Sequence, residues 1–209
     1  MQSLIGQKRR KDSQSKMIKK LVVATGNPGK VKEMGKYLQE FNVELALKPP
    51  EIEIEETGDT FLANARLKAS ETALQLKQWS IADDSGLMVS ALDGQPGIYS
   101  ARYGKTDEER INRLLTELTG HDDRSAQFVC AIAVANPEGE VVIETEGICP
   151  GEILKEREGD GGFGYDPVFY VPSAGQTYAQ MSTDIKKVYS HRGLAFANLQ
   201  PLLKSLINQ

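Results

Sequence analysis

The sequence LVVATGNPGKVKEM at residues 21–34 sets the architecture of this chain. Residues 21–24 form a short apolar run, which predicts a buried strand. Residues 25–30 are rich in turn formers, and apolar side chains then recur at helical spacing at Val31, Met34 and Leu38. A buried strand that leads directly into an amphipathic helix is typical of α/β proteins.

Further strands are predicted on both sides of a central turn. Two apolar stretches, residues 127–135 and 140–146, flank the turn sequence NPEG at 136–139, which is typical of a β-hairpin. Another short strand at 79–82 runs straight into the turn-like sequence DDSG at 83–86. These segments predict a sheet that is not purely parallel.

Helices are expected between and after the strands. Asp59 is the expected N-cap of a long helix, and Thr106 with Glu109 forms a capping box for another. Ser190 can cap the last helix of the chain. The sequence therefore predicts one mixed α/β domain over residues 20–209.

Charge is distributed unevenly along the 209 residues. The chain has 25 basic and 29 acidic side chains and a net charge of −4, but residues 1–20 carry seven Lys or Arg and one acid, Asp12. We expect residues 1–19 to be a basic, disordered tail attached to an acidic body. An acidic body is a poor general surface for nucleic acid, because phosphate contacts need Lys and Arg.

Other partner classes are excluded by simple counts. No apolar run approaches the roughly 20 residues of a membrane span, and the N-terminal stretch lacks the apolar core of a secretory signal. Cys130 and Cys149 are too few for a disulfide framework or a cysteine-only zinc site. We expect a cytoplasmic protein that binds neither membranes nor nucleic acid.

The turn at residues 25–30, TGNPGK, is a candidate phosphate site. Its glycines let the backbone approach an anion, the next helix begins there, and Lys30 adds a positive charge. The spacing is not that of a Walker A motif. An ordinary turn between strand and helix is the alternative.

Two acidic segments are candidate metal sites. Asp83 and Asp84 are adjacent, and Mg²⁺ commonly takes one or two carboxylates together with substrate phosphates. One Asp could bind the metal while its neighbour accepts a proton from water. Glu55 and Glu56 could supply a further ligand. A solvated turn and a solvated acidic loop are the alternatives.

A glycine-rich loop and the start of the last helix are candidate substrate contacts. The sequence GGFGYDP at 161–167 would let a base stack on Phe163 with Asp166 as a polar anchor, or it forms a tight hairpin with core aromatics. Arg192 suits a phosphate or a base carbonyl. His191 beside it is more often structural than catalytic.

Taken together and in order, these segments resemble the inosine triphosphatase family of noncanonical purine nucleotide pyrophosphatases. The matching stretches are ATGNPGK (24–30), EETG (55–58), IADDSGL (81–87), PGIYSARY (96–103), GGFGYDPVF (161–169) and SHRG (190–193). The likeness extends from Leu21 to the last helix. It implies an α/β fold in which an elongated, twisted mixed β-sheet with flanking helices forms two lobes around a central cleft.

The resemblance also implies an activity and a set of residues. The family hydrolyses ITP, dITP and XTP to the monophosphate and pyrophosphate with Mg²⁺, as a homodimer. It implies that Glu55 and Asp84 hold Mg²⁺, with Asp84 also the proton acceptor. The implied triphosphate contacts are Thr25, Gly26, Asn27, Pro28, Gly29 and Lys30. The other implied substrate contacts are Ser85, Phe163, Gly164, Tyr165, Asp166, Lys186, His191 and Arg192.

Several alternatives stay open at the level of sequence. Glu56 or Asp83 could share the metal, and Lys187 competes with Lys186 because the family spacer before SHRG matches only loosely. A Maf-like pyrophosphatase of pyrimidine or modified nucleotides is a neighbouring enzyme class, against which the SHRG and FGYDP segments argue. A nucleic-acid-binding module that uses the basic tail is a non-enzymatic alternative.

Overall fold

The computed structural model describes residues 18–26 and 28–208, and in this part of the chain seven strands form one mixed sheet. The strands are β1 (Lys20–Val23), β2 (Glu44–Leu47), β3 (Ser80–Val89), β4 (Ser125–Ala135), β5 (Val141–Ile153), β6 (Phe169–Val171) and β7 (Gln176–Thr177). The α-helices are α1 (Pro28–Leu38), α2 (Phe61–Leu76), α3 (Asp107–Glu117), α4 (Thr183–Tyr189) and α5 (His191–Ile207). The predicted α/β class is confirmed.

The strand order is β2-β1-β3-β4-β5-β6-β7. β1 pairs in parallel with β2 and with the start of β3, whereas β3, β4 and β5 form a long antiparallel meander. The predicted hairpin is confirmed as β4 and β5, and β5 continues well beyond residue 146. The pairing of β1 with β3 ends at Val23 and Ile81, so β3 runs on past the end of β1. A cleft opens at this step.

One predicted strand boundary is wrong. The sequence DDSG at 83–86 was expected to form a turn after a strand at 79–82, but these residues lie inside the ten-residue β3. Each of them pairs with β4, from Asp83 opposite Ile132 to Gly86 opposite Val129. The ladder hydrogen bonds of the meander outweigh the turn preference of Asp, Ser and Gly, because strand pairing depends strongly on tertiary context.

Helices cover both faces of the sheet. Helices α1 and α5 pack on one face, where Phe196 and Leu199 join Ile81 and Ile132 in a buried cluster. Helix α2 packs on the other face through small side chains such as Ala65. The predicted N-cap Asp59 is wrong by one residue, because the hydroxyl of Thr60 accepts the capping hydrogen bond from Ala63. A third cluster, which includes Leu87, Leu114, Phe128 and Phe169, lies under α3 at the far end of the meander. The core is thus divided between two ends of one long sheet.

The predicted tail falls almost wholly outside the described residues. Of residues 1–19, the structure describes Ile18, which is buried, and Lys19. Within the described part of the chain, no helix is both long and apolar enough to cross a membrane.

Candidate active site

A cleft of about 440 Å³ lies where β3 runs past the end of β1. It brings together side chains from three of the predicted motifs and from α2. The lining residues are Ala24, Thr25, Gly26, Lys30, Lys48, Ile52, Glu53, Ile54, Glu55, Glu56, Lys68 and Asp83. Basic and acidic groups share this lining, as a site for a metal-bound polyanion requires.

Asp83 and Asp84 contact groups on opposite faces of the sheet. They are neighbours within β3, and successive side chains of a strand point to opposite sides. Asp83 contacts Lys30 and Arg192 from α1 and α5, whereas Asp84 contacts residues of α2. The side chains that form ion pairs with the two carboxylates are therefore different.

Asp83 sits in a buried ion cluster. Its carboxylate accepts hydrogen bonds from Lys30 Nζ at 3.0 and 3.2 Å and from Arg192 at 3.1 Å. Burial alone would raise the pKa of Asp83, but the positive charges of Lys30 and Arg192 hold this pKa well below its usual range. Arg192 also donates to Ser85 Oγ at 3.2 Å. The cluster joins three predicted motifs: the turn after β1, DDSG and SHRG.

Asp84 has a different electrostatic environment. Its carboxylate accepts hydrogen bonds from Lys68 Nζ and Asn64 Nδ2, both at 3.2 Å. Burial, together with the negative charge of Glu56, raises the pKa of Asp84 although Lys68 opposes this shift. Asp84 is thus a stronger base than an ordinary aspartate, whereas Asp83 is a weaker one. Environments that push two carboxylate pKa values apart are typical of acid–base sites.

Lys68 links Asp84 to the acidic loop after β2. Its Nζ lies 2.8 Å from Glu56 Oε1 and 3.2 Å from Asp84 Oδ1. Burial would lower the pKa of Lys68, but the charges of Asp84 and Glu56 raise it, so the ammonium stays protonated. Arg102 contacts the other oxygen of Glu56 at 2.6 Å. Glu55, the predicted metal ligand, lies exposed on the cleft lining.

The turn after β1 forms one end of the cleft. Thr25, Gly26 and Lys30 line it, and α1 begins at Pro28, so Gly29 and Lys30 lie in the first helical turn. The backbone N–H groups at a helix N-terminus favour a bound anion. Asn27, also a predicted triphosphate contact, lies outside the described residues.

The glycine-rich loop supplies an exposed aromatic ring. Phe163 is 64% exposed, and its amide donates to the buried carboxylate of Asp166 at 3.0 Å. Lys186 pairs with the same carboxylate and has its Nζ 5.5 Å from the centre of the Phe163 ring. Lys187 instead lies over Tyr37, at 5.7 Å. Of the two competing lysines, Lys186 is therefore the one in contact with the loop.

The side chains of Tyr165 and His191 are buried, whereas the ring of Phe163 is exposed. The hydroxyl of Tyr165 donates to the carbonyl of Ser100 at 2.9 Å. The His191 ring stacks on Phe128 at 4.7 Å, and its Nδ1 lies 3.3 Å from the hydroxyl of Tyr178. Burial, reinforced by nearby positive charge, lowers the pKa of His191 well below its usual value, so the ring is neutral.

Sequence reasoning missed four charged or polar side chains of this region. They are Lys48, Asn64, Lys68 and Arg102. One signal was available for two of them: Asn64 and Lys68 are four residues apart on the side of α2 that also carries Phe61 and Ala65. Polar residues within a helix face of small and apolar residues are buried only when they find partners.

The fold and the cleft together define an α/β protein that holds strand carboxylates beside a helix N-terminus and several cations. The model of the Ham1 family matches residues 21–202, and the chain belongs to this family. The predicted family is confirmed.

Named relatives agree with this assignment. The chain is 57% identical over 192 residues to the dITP/XTP pyrophosphatase of Nostoc sp., covering 92% of this chain and 98% of the relative. It is 56% identical over 179 residues to the protein of the same name from Synechocystis sp., with 86% and 92% covered. The solved Ham1 protein of Staphylococcus aureus superposes with a TM-score of 0.83 at 42% identity, covering 90% of this chain and 99% of that one.

Proposed function

We propose that this protein is a Mg²⁺-dependent pyrophosphohydrolase that converts ITP, dITP and XTP to the monophosphate and pyrophosphate. The names of the relatives support the enzyme class and the substrate class. The single observation that carries the chemistry is the contact of the Asp84 carboxylate with Lys68 and Asn64, because Lys68 also lines the cleft together with Lys30. A Maf-like activity gains no support from the family match at residues 21–202.

The triphosphate would lie along the cationic side of the cleft. Lys30 is partly exposed there and lies in the first turn of α1, where the helix N-terminus favours a bound anion. Lys48 contributes a further charge to the lining, where its ammonium is tethered to the carbonyl of Ile52. These groups would neutralise and align the chain of phosphates.

Among the residues that the structure describes, no three acidic, His or Cys side chains form a group that could hold a metal ion, so Mg²⁺ would depend on substrate phosphates for most of its ligands. Mg²⁺ prefers carboxylate oxygen and is often bound by one or two side chains with substrate phosphates completing its shell. Lys68 lies within ion-pair distance of both Asp84 and Glu56, so these two carboxylates already face one common positive charge. Asp84 and Glu55 would hold the metal, with Glu56 beside them. When bound, the ion would supply charge neutralisation at the phosphate oxygens.

Hydrolysis would then follow from positioning and one proton transfer. A water molecule beside Asp84 attacks the α-phosphorus, and its oxygen forms the new P–O bond while the proton passes to the Asp84 carboxylate. The bond between the α-phosphorus and the bridging oxygen breaks, and pyrophosphate leaves in line. Lys68 stays protonated and fixes the orientation of Asp84 through its 3.2 Å contact.

Base choice would come from the region around Phe163. Its exposed ring is available for stacking, and hypoxanthine and xanthine present a 6-oxo acceptor to Arg192 or to backbone N–H donors. Adenine presents an amino donor at that position and would leave these donors unpaired, which is costly in a buried site. Ser85, Asp166 and Lys186 would complete the substrate contacts.

We also propose that the protein is a cytoplasmic homodimer, as the family resemblance implies. The predicted boundary between a tail at 1–19 and an enzyme domain at 20–209 belongs to the same proposal. Removal of residues 1–16 should leave hydrolysis unchanged.

Pyrophosphate release from ITP, dITP, XTP, ATP, GTP and dTTP, with Mg²⁺ or with EDTA, tests the function. We expect rapid release from the first three substrates in the presence of Mg²⁺ and little from ATP. Equal rates on ATP and ITP would contradict the substrate assignment, and a preference for dTTP would favour the Maf-like class. Salt-sensitive binding of RNA or DNA without hydrolysis would favour the nucleic-acid-binding alternative.

A further inference from the structure

The segment at residues 97–107 connects the catalytic strand to the glycine-rich loop. It contains most of the PGIYSARY motif and has no role in the chemistry proposed above. It comprises the short 3₁₀ helix Gly97–Arg102 and the residues that lead into α3. This segment contacts β3 on one side and the loop at 161–166 on the other.

Ser100 makes the first of these connections. Its Oγ accepts a hydrogen bond from the amide of Leu87 at 2.9 Å, and its carbonyl accepts one from the Tyr165 hydroxyl at 2.9 Å. The approach to β3 is close, since a Cβ on Gly86 would lie 2.6 Å from Ser100 Oγ. One buried residue therefore contacts both the strand that carries Asp84 and the loop that carries Phe163.

Asp107 makes the second connection. Its Oδ2 accepts a hydrogen bond from the amide of Gly164 at 2.7 Å, while its Oδ1 contacts Arg110 at 2.6 Å. Arg110 is itself held by the carbonyl of Gly104 at 3.1 Å. Asp107 is the first residue of α3, directly after the N-cap Thr106. Arg110 therefore orients the Asp107 carboxylate through one oxygen, and the other oxygen is left to accept the hydrogen bond from the loop.

The hydrogen bond from Gly164 to Asp107 lies next to Phe163 in the chain. Gly164 has φ of +61°, a conformation that favours glycine, and it directly follows Phe163. The Phe163 amide is held by Asp166 on one side, and the Gly164 amide is held by Asp107 on the other. We propose that Asp107 is a positioning residue for base recognition, which sets the orientation of the Phe163 ring. This inference rests on the proposed function, in which that ring stacks on the base.

Asp107→Ala tests the inference by steady-state kinetics. We expect KM for ITP to rise about 3–10-fold, the range that loss of one ordinary hydrogen bond implies, because Asp107 acts through the loop and not on the base itself, with kcat within about twofold. Inhibition by inorganic tripolyphosphate, which has no base, should be unchanged. Asp107→Asn keeps an acceptor oxygen and should restore KM. Glu108→Ala is the matched control, because Glu108 is an exposed acid in the same helical turn.

Hydrogen exchange of the peptide that covers residues 161–166 provides an independent readout. Exchange should be faster in Asp107→Ala and unchanged in Glu108→Ala. An unchanged KM or unchanged hydrogen exchange of the loop in Asp107→Ala overturns the inference. Equal weakening of ITP binding and of tripolyphosphate binding also overturns it. Wild-type protein that hydrolyses none of ITP, dITP and XTP would instead overturn the proposed function and this role together.

Discussion

Replacement of Arg192 by methionine should strongly destabilise the fold. The guanidinium is buried and pairs with Asp83, whose own side chain is 2% exposed. Methionine keeps most of the volume but leaves the carboxylate with Lys30 as its remaining ion-pair partner among the described residues. Loss of one member of a buried pair costs about 3–5 kcal/mol, because the other charge stays desolvated. Lys30 still neutralises part of the Asp83 charge, so we expect the free energy of unfolding to fall by about 3 kcal/mol.

Urea denaturation followed by circular dichroism measures this loss, and thermal melting should show a decrease in Tm of roughly 6–12 °C. Arg66→Met is the matched control, since Arg66 pairs with Glu144 at 2.5 Å but is half exposed. Such a surface pair should cost less than about 1 kcal/mol. Equal costs for the two variants would refute the assignment of a buried ion cluster.

A double variant separates the ion pair from packing. Asp83→Leu combined with Arg192→Met removes both charges of the contact. The pair is directly bonded, so the double variant should cost at least about 1 kcal/mol less than the sum of the single variants. Strict additivity would show that the two side chains stabilise the fold independently.

Two further predictions concern Asp84 and His191. Asp84→Asn should lower kcat by at least about 100-fold through loss of the proton acceptor, with the circular dichroism spectrum of the folded protein unchanged; near-normal turnover would remove Asp84 from that role. His191 is neutral in the folded protein because burial lowers its pKa. In the unfolded chain this histidine has an ordinary pKa of about 6.5, so below that pH the unfolded chain binds more protons than the folded one. Wild-type stability should therefore fall with decreasing pH below that value, by up to about 1.4 kcal/mol per pH unit more than in His191→Gln. The exposed His121→Gln is the control; a slope in His191→Gln equal to that of wild type would contradict the neutral assignment.

Local patterns in the sequence determined much of this protein. The turn at 25–30 after β1, the β4–β5 hairpin and the caps at Thr106 and Ser190 all depend on residues close together in the chain. The ordered motifs also identified the family without any three-dimensional information. Short-range hydrogen bonds and hydrophobic periodicity are sufficient for features of this kind.

Tertiary structure alone decided how the site is arranged. The sequence placed Asp83 and Asp84 in a turn, whereas pairing with β4 keeps them in a strand and sends them to opposite faces. Arg192 reaches Asp83 across 109 residues, and Lys68 reaches Asp84 from a helix that carried no recognised motif. Burial and charge partners determine the pKa of a carboxylate, and both follow from packing between distant segments. The difference between a weakly basic Asp83 and a more basic Asp84 therefore exists only in the folded chain.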